Sequence, residues 1–199
     1  MTDYVIPCET VVRLAAILEE NDDPFFQTIR IDNGIAVTSD TRLMSVECVG
    51  GPVGIIHLLN DPALIEVCRK EAVWKSSLTI TVVEELRFAT AKTTYGYVHP
   101  GNCCLWSDAP TDFNRWRTIV ASIGQPTTEF AGGMAWNAAQ IGKLAATAPS
   151  GYVVFEENIN VVGPLLIRDA YDPNWFGVFG GWLRDLPTTP AVLPEWFKA

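Results

Sequence analysis

The sequence predicts an α+β fold of mostly antiparallel sheets with helices on one face. One order of elements, strand, helix and three strands, recurs along the chain at intervals of about sixty residues, as expected of an internal structural repeat. An Asn33-Gly34 pair joins two alternating segments and is typical of a tight β-hairpin. Apolar residues make up 48% of the 199 residues and charged residues only 19%, so the chain can bury a large core.

The first pass through this order begins with a helix. Apolar residues recur at helical spacing across 9–21, and an Asn-Asp-Asp-Pro cluster follows. The pattern then predicts three strands, at 25–32, 34–40 and 42–50. The second pass has a strand at 53–59 and a helix at 61–75, with Asp61 as N-cap and Pro62 at the first helical position. Strands at 77–85, 86–93 and 94–101 complete it.

The third pass follows an irregular stretch at 102–128. It has an extended entry at 129–136, a short helix at 137–148 and strands at 152–156, 158–169 and 175–183. We therefore predict a domain of two half-repeats at 1–125, a third half-repeat at 126–185 and an extended Pro-rich tail at 186–199.

Composition excludes several classes of protein. The formal net charge of −9 repels nucleic acid unless the basic residues gather on one face. The five Cys and two His lack metal-ligand spacing, so neither a zinc site, another cofactor nor a disulfide framework is expected. Reduced thiols, the absence of a signal peptide and apolar runs too short for a bilayer predict a cytoplasmic protein away from membranes.

Catalytic motifs are also missing from the sequence. There is no Gly-rich phosphate loop, nucleophile elbow or helical His-Glu-x-x-His. The pair Glu84-Glu85 lies in a predicted strand, where neighbours point to opposite faces and cannot cooperate as acid and base. Cys103-Cys104 could be a reactive thiol beside His99 or simply small buried hydrophobes. Asp40 and Arg42 could be catalytic, although a turn with a local ion pair explains them more simply. We predict that the protein is not an enzyme.

Three stretches resemble the half-domains of DNA sliding clamps, in particular the bacterial clamp, the β subunit of DNA polymerase III. In 31–47, IDNGIAVTSDTRLMSVE, the run 38–43 is similar to the family's Thr-Asp-Gly-His-Arg-Leu turn but one residue shorter. Residues 108–122, DAPTDFNRWRTIVAS, resemble the family's Phe-Pro-Asp-Tyr-Arg-Arg-Val-Leu-Pro segment, with Asn114 and Ala121 replacing the two Pro. Residues 130–183 resemble the last half-domain, although the final strand 176–183 lacks the family's Met-Pro-Met centre.

The resemblance implies a ring of helices around duplex DNA and a groove for hydrophobic peptides of polymerases and other replication proteins. A ring of about twelve half-domains would need about four copies of three half-repeats, which predicts a homo-oligomer. Solvated surface bases are the alternative for the candidate DNA-facing residues, since the predicted helix at 61–75 has no net charge. These candidates are Arg13, Arg69, Lys70, Lys75 and Lys143.

The peptide groove is the second site that the resemblance implies, and ordinary core and sheet-edge packing is the alternative for its residues. The candidates are Ser39, Arg42, Leu43, Arg117, Ile119, Val178, Phe179, Trp182 and Leu183. In the tail, 193–197 reads Leu-Pro-Glu-Trp-Phe and loosely resembles clamp-binding peptides. It could dock in a groove of its own chain, of a neighbour or of another clamp, or pack on its own domain.

Two functions from different classes follow. The first is a clamp-like DNA-tethering and processivity factor of DNA replication, with the reduced size pointing to a phage or mobile element. The alternative is a clamp-fold interaction module that binds replication proteins without encircling DNA. An enzyme using Cys103 or Cys104 is a third hypothesis, and thiol-dependent turnover would be needed to support it.

Overall fold

The computed structural model describes residues 1–18, 24–40, 42–106, 117, 138–155 and 165–179. These residues form strands connected by turns and by helices. The helices are α1 (Cys8–Ala15), α2 (Pro62–Ala72) and α3 (Ala138–Ala145). The strands are β1 (Thr2–Pro7), β2 (Thr28–Asp32), β3 (Ile35–Ser39), β4 (Leu43–Cys48), β5 (Ile55–Leu59), β6 (Ser77–Val83), β7 (Phe88–Thr93), β8 (Cys104–Leu105), β9 (Val153–Phe155), β10 (Leu165–Asp169) and β11 (Trp175–Phe179).

The described strands form two antiparallel sheets. An eight-stranded sheet has the order β8-β5-β2-β3-β4-β11-β10-β9, and a three-stranded sheet has the order β1-β6-β7. The first strand of each of the first two passes pairs with a strand of the other pass. Strand β1 of the first pass pairs with β6 of the second, and β5 of the second pairs with β2 of the first. The third pass joins the large sheet through the pairing of β11 with β4. The fold is therefore the predicted α+β arrangement with mostly antiparallel sheets.

The hairpin between β2 and β3 forms at Asn33-Gly34 as predicted. Both residues have positive φ, 52° and 80°, which is the conformation that a two-residue type I′ turn requires. The carbonyl oxygen of Gly34 accepts hydrogen bonds from Val49 and Gly50, each at 2.9 Å. This contact fixes the end of β4 against the hairpin.

Helix α2 begins where the sequence predicts. The Asp61 carboxylate accepts a hydrogen bond from the Leu64 amide at 3.0 Å, and Pro62 occupies the first turn. Helix α2 packs against α1. The amide of Cys8 donates to the carbonyl of Ser76 at 2.9 Å, so the start of α1 lies beside the end of α2 and the two helices run antiparallel.

The buried residues separate into clusters on the two faces of the large sheet. The main cluster lies between α1, α2 and the inner faces of both sheets, and includes Leu14, Ile31, Leu64 and Ile80. A second cluster, under α3, includes Leu43, Leu144, Trp175 and Phe179. A third lies on the opposite face of the large sheet, and we call it the outer strip. Its buried residues are Val37, Met44, Val46 and Val178.

Several predicted elements differ from the structure. Strand β1 was not predicted, yet its alternating Tyr4 and Ile6 enter the core because β6 pairs along it. Residues 24–27 form a 3₁₀ turn rather than the start of a strand, and so do Glu84-Glu85, whose side chains are exposed. The predicted strand at 94–101 is mostly turn, with an isolated bridge at Val98, and β8 replaces it within the stretch predicted to be irregular. The predicted extended entry at 129–136 lies outside the described residues.

Candidate DNA-facing helices and peptide groove

Four of the five candidate DNA-facing residues belong to α1, to α2 or to the turn after α2. A cleft of about 520 Å³ separates α1 from α2 and is lined by Val12, Ala15, Ile65 and Arg69, among other residues. The side chains of α2 that point away from the core include Arg69 and Lys70, because Leu64, Ile65 and Cys68 point inward.

Arg13 is engaged inside the protein rather than extended to solvent. Its Nη2 atom donates to both carboxylate oxygens of Glu47, at 2.8 and 3.0 Å, and 17% of its side chain is exposed. The Thr10 hydroxyl donates to the same carboxylate at 2.8 Å. Burial raises the pKa of Glu47, and Arg13 and Thr10 oppose this by stabilising the charged form. The charge of Arg13 is thus largely balanced at the junction of α1 and β4.

Three of the remaining candidates also face carboxylates. Arg69 and Lys70 both pair with Glu66, one turn earlier on α2. The Nζ atom of Lys143 lies 3.6 Å from Asp40. Lys75, in the left-handed region just after α2, makes no ion pair within the described part of the chain. The pairs of Arg69 and Lys70 with Glu66 are exposed and therefore weak, so these side chains can exchange partners in solution.

The first groove candidates form a tight turn after β3. The Asp40 carboxylate accepts hydrogen bonds from the amides of Arg42 and Leu43, each at 2.6 Å. The Ser39 hydroxyl donates to the carbonyl of Leu43 at 2.9 Å. The simpler explanation of Asp40 as a turn residue is therefore confirmed, although its ion pair is formed with Lys143 and not with Arg42.

The remaining groove candidates lie on different faces. Leu43 pairs with Phe179 across β4 and β11, and both side chains are buried under α3. Val178 points to the outer strip instead, because neighbours in a strand alternate. Arg117 lies farther along that face, with its Nη2 atom 3.3 Å from the Asp32 carboxylate. Ile119, Trp182 and Leu183 lie outside the described residues.

Comparisons with known proteins bear on this arrangement. At the level of sequence, no protein-family model and no curated protein matches the chain. At the level of structure, 90% of the chain superimposes on the DNA polymerase III β subunit of Pseudomonas aeruginosa, with a TM-score of 0.58 and 9% identity. The C. crescentus β sliding clamp matches 89% of the chain, with a TM-score of 0.54 and 10% identity. The chain has the sliding-clamp fold.

The resemblance predicted from three short stretches is confirmed at the level of the fold. The chain spans just under two thirds of the clamps it matches, 66% of the P. aeruginosa protein and 65% of the C. crescentus protein. Within the chain, the pairings of β1 with β6 and of β5 with β2 interlock the two sheets.

The outer strip of the clamp fold contains residues that the sequence did not single out. Met44 and Val46 on β4 share this face with Val178, and Leu166 and Phe176 pack against them. Leu166 and Phe176 also line a cleft of about 460 Å³ together with Arg168 and Tyr171. The alternation of side chains along a strand could have predicted these residues. Met44 and Val178 are next to the predicted Leu43 and Phe179 in the sequence, and therefore face the opposite side of the sheet.

The hypothetical thiol site finds no support in the structure. Cys103 and Cys104 are buried, with their sulfur atoms 3.9 Å apart. The neighbouring Cys103 thiol and burial both raise the pKa of Cys104, whereas the hydrogen bond with Cys104 lowers the pKa of Cys103, whose sulfur is buried away from any substrate. Among the described residues, no group of three or more His, Cys, Asp or Glu is placed to hold a metal ion. No described helix is long and apolar enough to cross a membrane.

Proposed function

We propose that this chain is a non-enzymatic DNA-tethering protein that acts as a processivity factor in DNA replication. The observation that carries the proposal is the clamp fold, which extends over 90% of the chain. A clamp needs positioned helices rather than a reactive centre, and antiparallel α1 and α2 lie side by side in this chain. A cytoplasmic site of action and a phage origin belong to the same proposal.

The contact with duplex DNA in this proposal is electrostatic and independent of sequence. Arg69, Lys70 and Lys75 lie on or just after α2, and phosphates would compete with Glu66 for the first two. Few phosphates are neutralised by each chain, so affinity is low at moderate salt. Weak contacts suit a protein that must move along DNA while topology, rather than affinity, retains it.

Assembly into a ring would use sheet edges. Within the chain, β11 adds to β4 and extends one sheet from the first half-repeat into the third. We propose that further copies add in the same way, giving a closed homo-oligomer. Replication-protein peptides would then bind beside the turn at Ser39 and Arg42 and along the outer face that carries Val178, with Arg117 beside Asp32 at the opposite end of β3.

The deciding experiment compares retention on circular and linear duplex DNA. The purified chain is incubated with a nicked plasmid, the plasmid is linearised in half of the sample, and bound protein is separated by gel filtration. A topological tether remains on the circle and leaves the linear form, whereas equal retention on both forms, or on neither, contradicts the proposal. Light scattering on the same sample gives the number of copies.

A matched pair of variants tests the helix face. Lys75→Gln removes a cation beside α2, whereas Lys92→Gln removes an exposed cation from β7 on the small sheet. We expect Lys75→Gln to weaken duplex binding and reduce its dependence on salt, and Lys92→Gln to leave both unchanged. Equal effects of the two variants would show that duplex binding does not use the helix face.

A second function, a clamp-fold module that binds replication proteins without encircling DNA, is favoured by one specific observation. Four of the five candidate DNA-facing side chains face carboxylates: Arg13, Arg69, Lys70 and Lys143. A strict monomer that is not retained on DNA at low salt, but binds a replication-protein peptide, would establish this alternative.

A further inference from the structure

A pair of exposed aromatic rings stands just beyond the C-terminal end of α2. The rings of Trp74 and Tyr95 meet edge to face, with centroids 5.5 Å apart and planes at 76°. They are 61% and 60% exposed, a large fraction for a Trp and a Tyr in contact. An edge-to-face contact covers at most one face of one ring, so flat aromatic surface remains open to solvent.

The two turns that carry these rings are fixed from below by one buried carboxylate. Glu71 accepts hydrogen bonds from the hydroxyls of Ser76, at 2.7 Å, and Thr93, at 2.8 Å. Ser76 follows the Trp74 turn and Thr93 precedes the Tyr95 turn. The Tyr95 hydroxyl also lies 3.5 Å from the carbonyl of Trp74. A ligand that stacks on the rings therefore meets a platform that is already ordered, which reduces the entropic cost of binding.

Two lysines lie close to Trp74 in the chain. Lys70 precedes Trp74 by one helical turn, and Lys75 follows it directly. Glu66 opposes Arg69 and Lys70 but lies a further turn away from the rings. An exposed ring with basic residues next to it in the chain matches the chemistry of a nucleotide, which presents a flat base and an anionic phosphate together.

We propose that Trp74 and Tyr95 form a stacking platform for unpaired bases, so that the protein contacts single-stranded DNA at this end of α2. The inference rests on the proposed DNA-tethering function and adds a second kind of DNA to it. Neither ring lines the clefts of about 520 and 460 Å³, so the platform is an open surface and not part of a peptide groove. Stacking tolerates any base, as a protein that moves along DNA requires.

The test measures binding of the full chain to a fluorescein-labelled oligo-dT and to a labelled duplex of equal length, by fluorescence anisotropy. We expect Trp74→Ala to weaken oligo-dT binding by about 5-fold to 150-fold, the range for losing one stacked base. Duplex affinity should stay within about two-fold, because phosphate contacts do not use the ring. Trp74→Phe keeps a ring and should recover most of the oligo-dT affinity.

The chain offers a matched control in a second exposed pair. Tyr152 and Tyr171 meet edge to face with centroids 5.8 Å apart and are 66% and 76% exposed, but they lie near β9 and β10, away from α2. Tyr171→Ala should leave oligo-dT binding unchanged. Because these rings are exposed, we expect their substitution to leave the fold intact. Circular dichroism and thermal unfolding verify that each variant is folded.

The outcomes separate this inference from the proposed function. Equal oligo-dT affinity for the wild type and Trp74→Ala, with circular duplex still retained, overturns the platform and leaves the tether standing. Loss of oligo-dT binding in Tyr171→Ala as well as Trp74→Ala overturns it too, because the effect is then not local. If Trp74→Ala changes the mass measured by light scattering but not the affinity for oligo-dT, the rings form a contact between copies and the platform is overturned. Failure of the wild type to bind oligo-dT refutes the platform, whereas failure to be retained on circular duplex refutes the tether.

Discussion

A chain of polar contacts joins β11 and the end of α3 to β4, and Ser45→Ala should break it. The indole nitrogen of Trp175, on β11, donates to the Ser45 hydroxyl, on β4, at 2.8 Å. That hydroxyl lies 3.1 Å from the hydroxyl of Thr147, which donates to the carbonyl of Leu144, in α3, at 2.7 Å. Ser45 and Thr147 are fully buried, and Trp175 is 1% exposed, so water cannot replace a lost partner.

The magnitude follows from what the substitution leaves behind. A buried N–H without an acceptor costs about 1–3 kcal/mol, and loss of the hydroxyl–hydroxyl contact adds about 0.5–1.5 kcal/mol. We therefore expect Ser45→Ala to lower the free energy of unfolding by about 2–4 kcal/mol. The methyl group fits the site without overlap, so the loss is polar and not steric.

Urea unfolding followed by tryptophan fluorescence and circular dichroism measures this change. Trp175→Phe in the wild type and in the Ser45→Ala background completes a double-mutant cycle, since Phe lacks the N–H group. We expect a coupling of at least about 1 kcal/mol between the two positions. A loss below about 0.5 kcal/mol for Ser45→Ala, or strictly additive effects, would refute the reasoning that this polar chain stabilises the junction.

Three further predictions concern the segment from β2 to α2. Asp61→Ala removes the acceptor for the Leu64 amide and should cost about 1 kcal/mol in chemical unfolding, whereas Asp61→Asn should cost less; equal losses would contradict capping. Gly34→Ala should lower the free energy of unfolding by at least about 2 kcal/mol, because φ is 80° and the new Cβ would lie 2.9 Å from the Gly50 carbonyl carbon. An unchanged melting temperature would exclude this strain. Burial lowers the pKa of His57 to about 4 in the folded protein. As pH falls below about 6.5, His57 therefore takes up a proton in the unfolded protein but not in the folded one. Stability should fall between pH 6.5 and 4 by up to about 3 kcal/mol, and His57→Gln should flatten this decline; the same slope in the variant would assign the loss to other groups.

The sequence alone determined the elements whose causes are local. The Asn33-Gly34 hairpin follows from positive φ at both positions, which Asn and Gly tolerate best. The start of α2 follows from a side chain three residues from the amide that it caps. The order of elements, together with the resemblance of three short stretches, was enough to predict the clamp fold that the structural comparisons support.

Only the tertiary structure decided which side chains share a face and which charges are paired. Strand β1 exists because β6 pairs along its whole length, since the alternation of Tyr4 and Ile6 alone is too short to predict a strand. The register of β4 against β11 buries Leu43 with Phe179 and turns Val178 to the opposite face. Arg13 meets Glu47 from 34 residues away. The physical reason is common to all three: helix and turn signals act over a few residues, whereas strand pairing and ion pairing depend on distant segments that the fold alone brings together.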